Sequence, residues 1–353
     1  MTEDAYPKEL QALLGPHRAA WAPTKTYLKH LLRGGDPAEG ALELAVAACA
    51  EAQARCHHAA GTPRGLYPAV HWYARAASSP AGGAWQVIDH YFHQLSQLID
   101  AAPATPAGPF QAQVVEVLPR SRRRKVVRLA GPGACNPGPG GTLLAAAAAE
   151  PGYLCECACA TLPNQVGQIE VHLPAQHAAW ERIHHPAVGD EWLLHPGQPG
   201  WEIPEQPLVF VGQGVGIAAA NALCADVLAS GRQCPTGLFL GASSPGEQYT
   251  LVDLWQMAAA APQLSITACV EQAEDPWWVG ATQASSPPQE VGQVEVLPPW
   301  EAAARLGDIA ARTVLVSLPA RSLVPALDCL LRAGCAPGRI QVRVSPDDPP
   351  SHA

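Results

Sequence analysis

The stretch Pro207–Leu223, "PLVFVGQGVGIAAANAL", decides how the rest of the chain is read. Leu208 to Val211 form a short, unbroken apolar run, the mark of a strand covered on both faces. Gly212, Gly214 and Gly216 follow as a turn, and an alanine-rich segment beginning at Ile217 starts a helix. A strand, glycine turn and helix in this order offer backbone N–H groups and the positive end of a helix dipole to a diphosphate. Glycines also build tight turns that hold no ligand, so the triplet alone leaves both readings open.

Strands and helices alternate downstream of this turn. Strand candidates are "TGLFLGA" from Thr236, "LSITACVE" from Leu264, "VGQVEVL" from Val291, "RTVLVSLP" from Arg312 and "GRIQVRV" from Gly338. Helical stretches separate most of them, which predicts a Rossmann-like α/β domain over 205–346, with a parallel sheet and helices on both faces. Upstream, over 110–204, the pattern changes to short alternating runs: "FQAQVVEVL", "KVVRLAG", "YLCECACATL", "GQIEVHLP" and "DEWLLHPG". Turn-rich pieces such as "GPGACNPGPGG" lie between them, and a small antiparallel β-barrel is the natural product. Residues 1–101 read as an α-helical domain. In "GGAWQVIDHYFHQLSQLIDAA", Trp85, Ile88, Phe92, Leu95 and Ile99 recur at the three- and four-residue steps of a buried helix face. The proline-rich 102–109 is a linker and 347–353 a tail.

Composition bounds the function. The chain has 353 residues, 48% hydrophobic and 15% charged, enough apolar surface for more than one core. A net charge of -9 leaves no electrostatic footprint for nucleic acid, and the one basic run, Arg120–Lys125, reads as a solvated hairpin. No apolar run reaches the roughly 18 residues of a membrane span, and the N-terminus has no secretory pattern, so a cytoplasmic protein is expected. The eleven cysteines are scattered. Cys155, Cys157 and Cys159 alternate, which places them on one strand face as small core residues rather than at the loop spacings of a metal site. No metal site is expected, and the nucleophile-elbow, zinc-protease and phosphate-loop motifs of hydrolases are absent from the sequence.

Together the barrel and the glycine turn resemble the ferredoxin–NADP(+) reductase family, over roughly Phe110 to Val344. "VGDEWLL" from Val188 is similar to the family's late barrel strand, and "LFLGASSPGEQYTLVDLWQMAAAAPQLSITACVEQ" from Leu238 to its second strand, turn, helix and third strand. The resemblance implies FAD in the barrel and NADH or NADPH on the sheet. It assigns Gly212, Gly214, Val215, Gly216 and Ile217 to the nucleotide turn, and Gly241, Ser243 and Ser244 to its ribose side. Ser317 stands where the family has the cysteine beside the nicotinamide, and Tyr153 is the candidate for stacking on the flavin ring.

Departures from the family fall on chemistry. The family's Arg-x-Tyr-Ser run, whose arginine meets a flavin phosphate, corresponds to "EPGYLCECACATLPN", which has no arginine. Loss of that charge-assisted contact is worth about 1.5–3 kcal/mol. The second flavin anchor corresponds to "AQHAAW" at 175–180, without glycine or hydroxyl, and Leu318 replaces the glycine of the Cys-Gly-Pro turn. No arginine follows Ser243 and Ser244 to mark NADP, which leans the preference towards NADH.

Helices ahead of a reductase module give an order similar to that of flavohaemoglobins, where a globin accepts the electrons. His57, His58, His71, His90 and His93 are the imidazoles available there, and His90 and His93 share a helix face. No proximal-histidine pattern is evident, so the segment reads instead as a docking module for an acceptor protein or as a dimerisation unit that would give a homodimer. Trp277 and Trp278 follow the third sheet strand, either as a core pair under a loop or near a ligand. Two functions follow from the resemblance. One is an NAD(P)H-dependent flavin oxidoreductase passing electrons to a partner. The other is a reductase-like scaffold with little or no flavin, serving as a binding or regulatory subunit.

Overall fold

A computed structural model of the chain describes residues 30, 33, 35–36, 38–55, 71, 74–75, 82–101, 109–121, 124–131, 137–149, 155–161, 167–174, 185–273 and 292–345. Tyr153, Trp277, Trp278, His57, His58 and the 175–180 stretch lie outside the described residues, as do most of the linker and the tail. Contacts divide the chain into two units, Met1–Pro106 with Ala320–Asp328, and Ala107–Pro319 with Cys329–Ala353.

In the first unit α1 (Ala41–Arg55) packs against α2 (Gly83–Ala101). Ile88, Phe92 and Leu95 of the expected stripe are buried, joined by Val87 and Tyr91, and Leu44, Ala45, Ala48 and Cys49 of α1 are buried as well. Trp85 sits at the edge of that stripe, half-buried.

The barrel of the second unit follows from strict alternation. Its strands are β1 (Phe110–Pro119), β2 (Arg124–Ala130), β3 (Thr142–Ala147), β4 (Cys155–Cys159), β5 (Gln168–Pro174) and β6 (Glu191–Pro196), closed in the order β1-β2-β5-β4-β3-β6. Every second residue points inward, so Val114, Val127, Leu129, Leu143, Cys157, Cys159, Val171, Leu173, Trp192 and Leu194 fill one core. Cys157 and Cys159 are thus small apolar fillers on one face, as their spacing predicts. The register of β1 against β2 shifts between Val114 and Glu116, a bulge of the kind that bends a strand to close a barrel.

The parallel sheet has the order β10-β9-β8-β7-β11-β12. Its strands are β7 (Leu208–Gln213), β8 (Thr236–Ala242), β9 (Leu264–Val270), β10 (Gly292–Glu295), β11 (Thr313–Pro319) and β12 (Ile340–Ser345). Helices α3 (Ala218–Ser230), α4 (Leu251–Ala259), α5 (Pro299–Ala304) and α6 (Ala320–Arg332) alternate with them. The chain runs outward from β7 to β10, then returns to the other side of β7 for β11 and β12. That reversal makes the carboxyl ends of β7 and β11 the topological switch point, where open α/β sheets take their ligands.

Two arginines staple the connection between barrel and sheet. The Arg232 guanidinium donates to the carbonyls of Ile203, at 2.8 Å, and Pro204, at 2.7 Å. Arg343 donates to Gln198 Oε1 and the Pro199 carbonyl and lies 5.5 Å from the Trp201 ring centroid. Of the basic run at Arg120–Lys125, the described residues join the antiparallel strands β1 and β2, and they are not all solvated. Arg124 is only 4% exposed, and Arg120 pairs with Asp253 of α4 at 3.5 Å. These two contacts of the run are tertiary, which a local charge pattern cannot reveal.

Candidate functional site

The switch point gathers most of the residues expected at a nucleotide site. Gly212 lies beside Ser317 in the β7–β11 register, and Gly214–Ile217 follow as a 3-10 turn leading straight into α3. Gly214 has φ 64°, the left-handed conformation that L side chains rarely adopt. A Cβ on Gly216 would collide with the Ser317 carbonyl oxygen and come within 2.8 Å of Ser317 Oγ. A Cβ on Gly212 would meet the Phe210 ring at 2.5 Å. Each glycine therefore has a reason inside the fold, and none requires a ligand. All four turn residues are buried, Val215 and Ile217 at 1% exposure each.

Helix α3 is buried on both faces. Ala219, Ala220, Leu223, Cys224 and Val227 belong to the sheet's own core, with Leu251, Leu254 and Trp255 of α4. Ala218, Asn221 and Ala222 lie on the opposite side of the helix and are buried as well. The helix also approaches β4 of the barrel, with Cα atoms of the two elements within 8 Å. Methyl side chains make that approach possible, and Asn221 Oδ1 has no hydrogen-bond partner among the described residues. Burial in this apolar setting pushes the Cys224 thiol up to about 12, which keeps it protonated and inert.

The turn after β8 is bolted shut by a residue that no motif signals. Gln248 is 4% exposed, and its amide donates to the carbonyls of Leu240, at 2.6 Å, and Cys269, at 2.9 Å. It thereby joins the carboxyl ends of β8 and β9. Ser243 and Ser244 offer their carbonyls to the amides of Gln272 and Glu247, both at 3.1 Å, and both side chains stay half-buried. Gly241 is accounted for by Pro299, whose Cγ would lie 2.7 Å from a Cβ there. The charged side chain nearest in sequence is Glu247, an anion where a ribose phosphate would call for a cation.

In the helical unit one histidine is committed to the core. His71 is fully buried, stacked on Phe92 with ring centroids 4.0 Å apart, and its Nε2 lies 2.9 Å from Asp89 Oδ1. Its Nδ1 faces Cys49 Sγ at 3.9 Å. Burial holds the His71 imidazole below its ordinary pKa despite the Asp89 carboxylate. His90 and His93 are exposed, and no group of three metal-binding side chains converges among the described residues.

No protein-family model matches the chain, and no curated protein matches it by sequence. Solved structures do match by shape. The ferredoxin reductase of carbazole 1,9a-dioxygenase is 20% identical with a TM-score of 0.55, covering 70% of this chain and 72% of that one. Ferredoxin-NADP+ reductase from Plasmodium falciparum is 11% identical with a TM-score of 0.53, covering 67% of this chain and 96% of that one. This is the ferredoxin-NADP+ reductase fold. A flavohemoglobin from Malassezia yamatoensis, solved with bound FAD and heme, matches 97% of this chain and 80% of its own, at 16% identity and a TM-score of 0.53. At these identities the likeness is one of fold alone.

The reductase fold implies a flavin, and the described residues do not fit one. Along β4 the inward side chains are Cys157 and Cys159, which leaves Glu156 and Ala158 facing out. Glu156 is a carboxylate, and its Oε1 accepts a hydrogen bond from Thr142 Oγ at 2.8 Å. An anion on this face repels a flavin diphosphate instead of binding it. A planar ring between β4 and α3 needs about 3.5 Å on each side, or roughly 7 Å of clear gap. Helix α3 and β4 have Cα atoms within 8 Å of each other, close quarters for such a ring.

Proposed function

We propose that this chain is a reductase-fold scaffold that holds little or no flavin and serves as a binding or regulatory subunit. The observation that carries this reading is the carboxylate of Glu156 on the outer face of β4, the strand that α3 approaches to within 8 Å between Cα atoms. The glycines of the switch point support it too, because their conformations and contacts are satisfied within the chain. On this reading the fold supplies a rigid two-domain body, held by Arg232 and Arg343, and the function lies in what that body docks with.

A second reading has one observation in its favour. Gly214, Gly216 and Ser317 meet at the switch point, in the order that an NAD(P)H-dependent flavin oxidoreductase would use them. Steady-state oxidation of NADH with ferricyanide as acceptor separates the two. With added FAD, the scaffold reading expects the rate of free flavin alone. An enzyme-dependent rate that saturates with NADH and FAD would overturn it.

A further inference from the structure

Away from the switch point, the barrel and the sheet meet through a chain of titratable groups centred on His172. Strand β5 buries Ile169, Val171 and Leu173 inside the barrel, so Glu170 and His172 project from the outer face. His172 is nevertheless 0% exposed. Its Nε2 lies 3.1 Å from Glu170 Oε1, and its Nδ1 lies 2.9 Å from the hydroxyl of Tyr249, on the turn between β8 and α4. Behind Glu170, Arg128 donates to it at 3.1 Å and to Glu116 at 2.5 Å. Two more contacts join the same parts of the fold. Ser121 Oγ donates to Glu247 at 2.7 Å, and Arg120 faces Asp253 at 3.5 Å.

We propose that His172 is an acid-sensitive clasp between barrel and sheet, closed when the imidazole is neutral and released when it takes up a proton. An ionised Glu170 accepts, so Nε2 carries the hydrogen and Nδ1 is left as an acceptor for the Tyr249 hydroxyl. A proton added at Nδ1 turns that acceptor into a donor. The tyrosine hydroxyl must then turn its own hydrogen away from the ring. The groups around the ring add to the effect. Glu170 on its own strand favours the cation, whereas Arg124 on β2 and Arg120 at the end of β1 oppose it. Opposite His172 in the register stand Val126 of β2 and Ala158 of β4, neither of them charged. Arg128, Glu116, Glu247 and Asp253 lie one contact further out.

Burial holds His172 below the usual imidazole pKa, outweighing the help of Glu170. The closed state thus binds the proton less readily than an open one, and closure is complete above the ordinary pKa of about 6.5. It weakens as the pH falls below that value, by at most about tenfold per pH unit for one linked proton. Opening would free the corner formed by Glu247, Tyr249 and Asp253, the ribose side of the reductase fold. The clasp does not depend on the scaffold reading: retained flavin would overturn that reading and leave the clasp intact.

Hydrogen–deuterium exchange of the full chain, corrected for intrinsic rates and compared above and below about pH 6.5, tests this directly. In the wild type, residues 245–256 are expected to lose protection on acidification by up to about tenfold per pH unit, while the interior of β8 does not. His172→Gln, which keeps a hydrogen-bonding side chain but cannot titrate, should abolish the difference. Tyr249→Phe should expose the same segment at neutral pH already. An equal acid response in wild type and His172→Gln would overturn the proposal. So would a wild type without any response, or a Tyr249→Phe variant as protected as wild type at neutral pH.

Discussion

The switch point and the His172 corner are built from opposite materials. At the switch point, Gly216 packs against Ser317 and buried alanines follow it into α3. At the corner, Tyr249, His172, Glu170 and Arg128 form a polar chain, and Arg120 pairs with Asp253 beside it. Most contacts in both regions come from within the chain, Asn221 Oδ1 of α3 being an exception among the described residues. Ligand-shaped architecture can therefore persist on internal packing in one place and on internal hydrogen bonding in another, and the two respond differently to perturbation.

Volume perturbations should hurt most. Trp192→Ala empties the barrel core, where that side chain is 2% exposed, and should cost about 3–5 kcal/mol in denaturant unfolding. A cost under about 1 kcal/mol would mean that the core is not packed as described. At the switch point, Gly216→Ala drives a methyl into the Ser317 carbonyl and should destabilise by about 1–3 kcal/mol without changing any affinity for NADH. Loss of NADH affinity at unchanged stability would reverse the assignment of this glycine from packing to ligand. Arg232→Met removes two charge-assisted bonds to the barrel–sheet connection and should cost about 1.5–3 kcal/mol, read by the same unfolding curves.

Proton-driven effects should be smaller and should fall on the corner alone. Burial tends to raise the Glu170 carboxyl, but His172 and Arg128 outweigh it and hold the group below the usual carboxylate range. Its stabilising share is present above the ordinary carboxylate pKa and is lost as the pH falls through the lowered one. His172, also lowered, loses its share earlier on the way down. Unfolding free energy should thus decline in two stages on acidification. In Glu170→Gln the later stage should vanish; its survival would mean that another carboxylate carries it.

Much of this architecture is legible in the sequence. The alternation of "FQAQVVEVL" and "GQIEVHLP" marks barrel strands, and the unbroken run "LVFVG" marks the centre of a parallel sheet, because burial on one face or on two leaves different periodicities. The glycine turn is equally plain. Whether its glycines serve a ligand or the fold is not, since the answer lies in Ser317, about a hundred residues away. The same limit hides the Gln248 bolt and the pairing of His172 with Tyr249, which join residues from separate elements and leave no local pattern. It also explains Arg124, which reads as a solvated charge but is buried.

The central claim is that the flavin side of this fold is already filled. Equilibrium dialysis of the purified chain against FAD, followed by an absorption spectrum after desalting, addresses it most directly. The account predicts that only the protein's aromatic absorption remains and that added NADH changes nothing. Flavin bands retained at one per chain and bleached by NADH would contradict it.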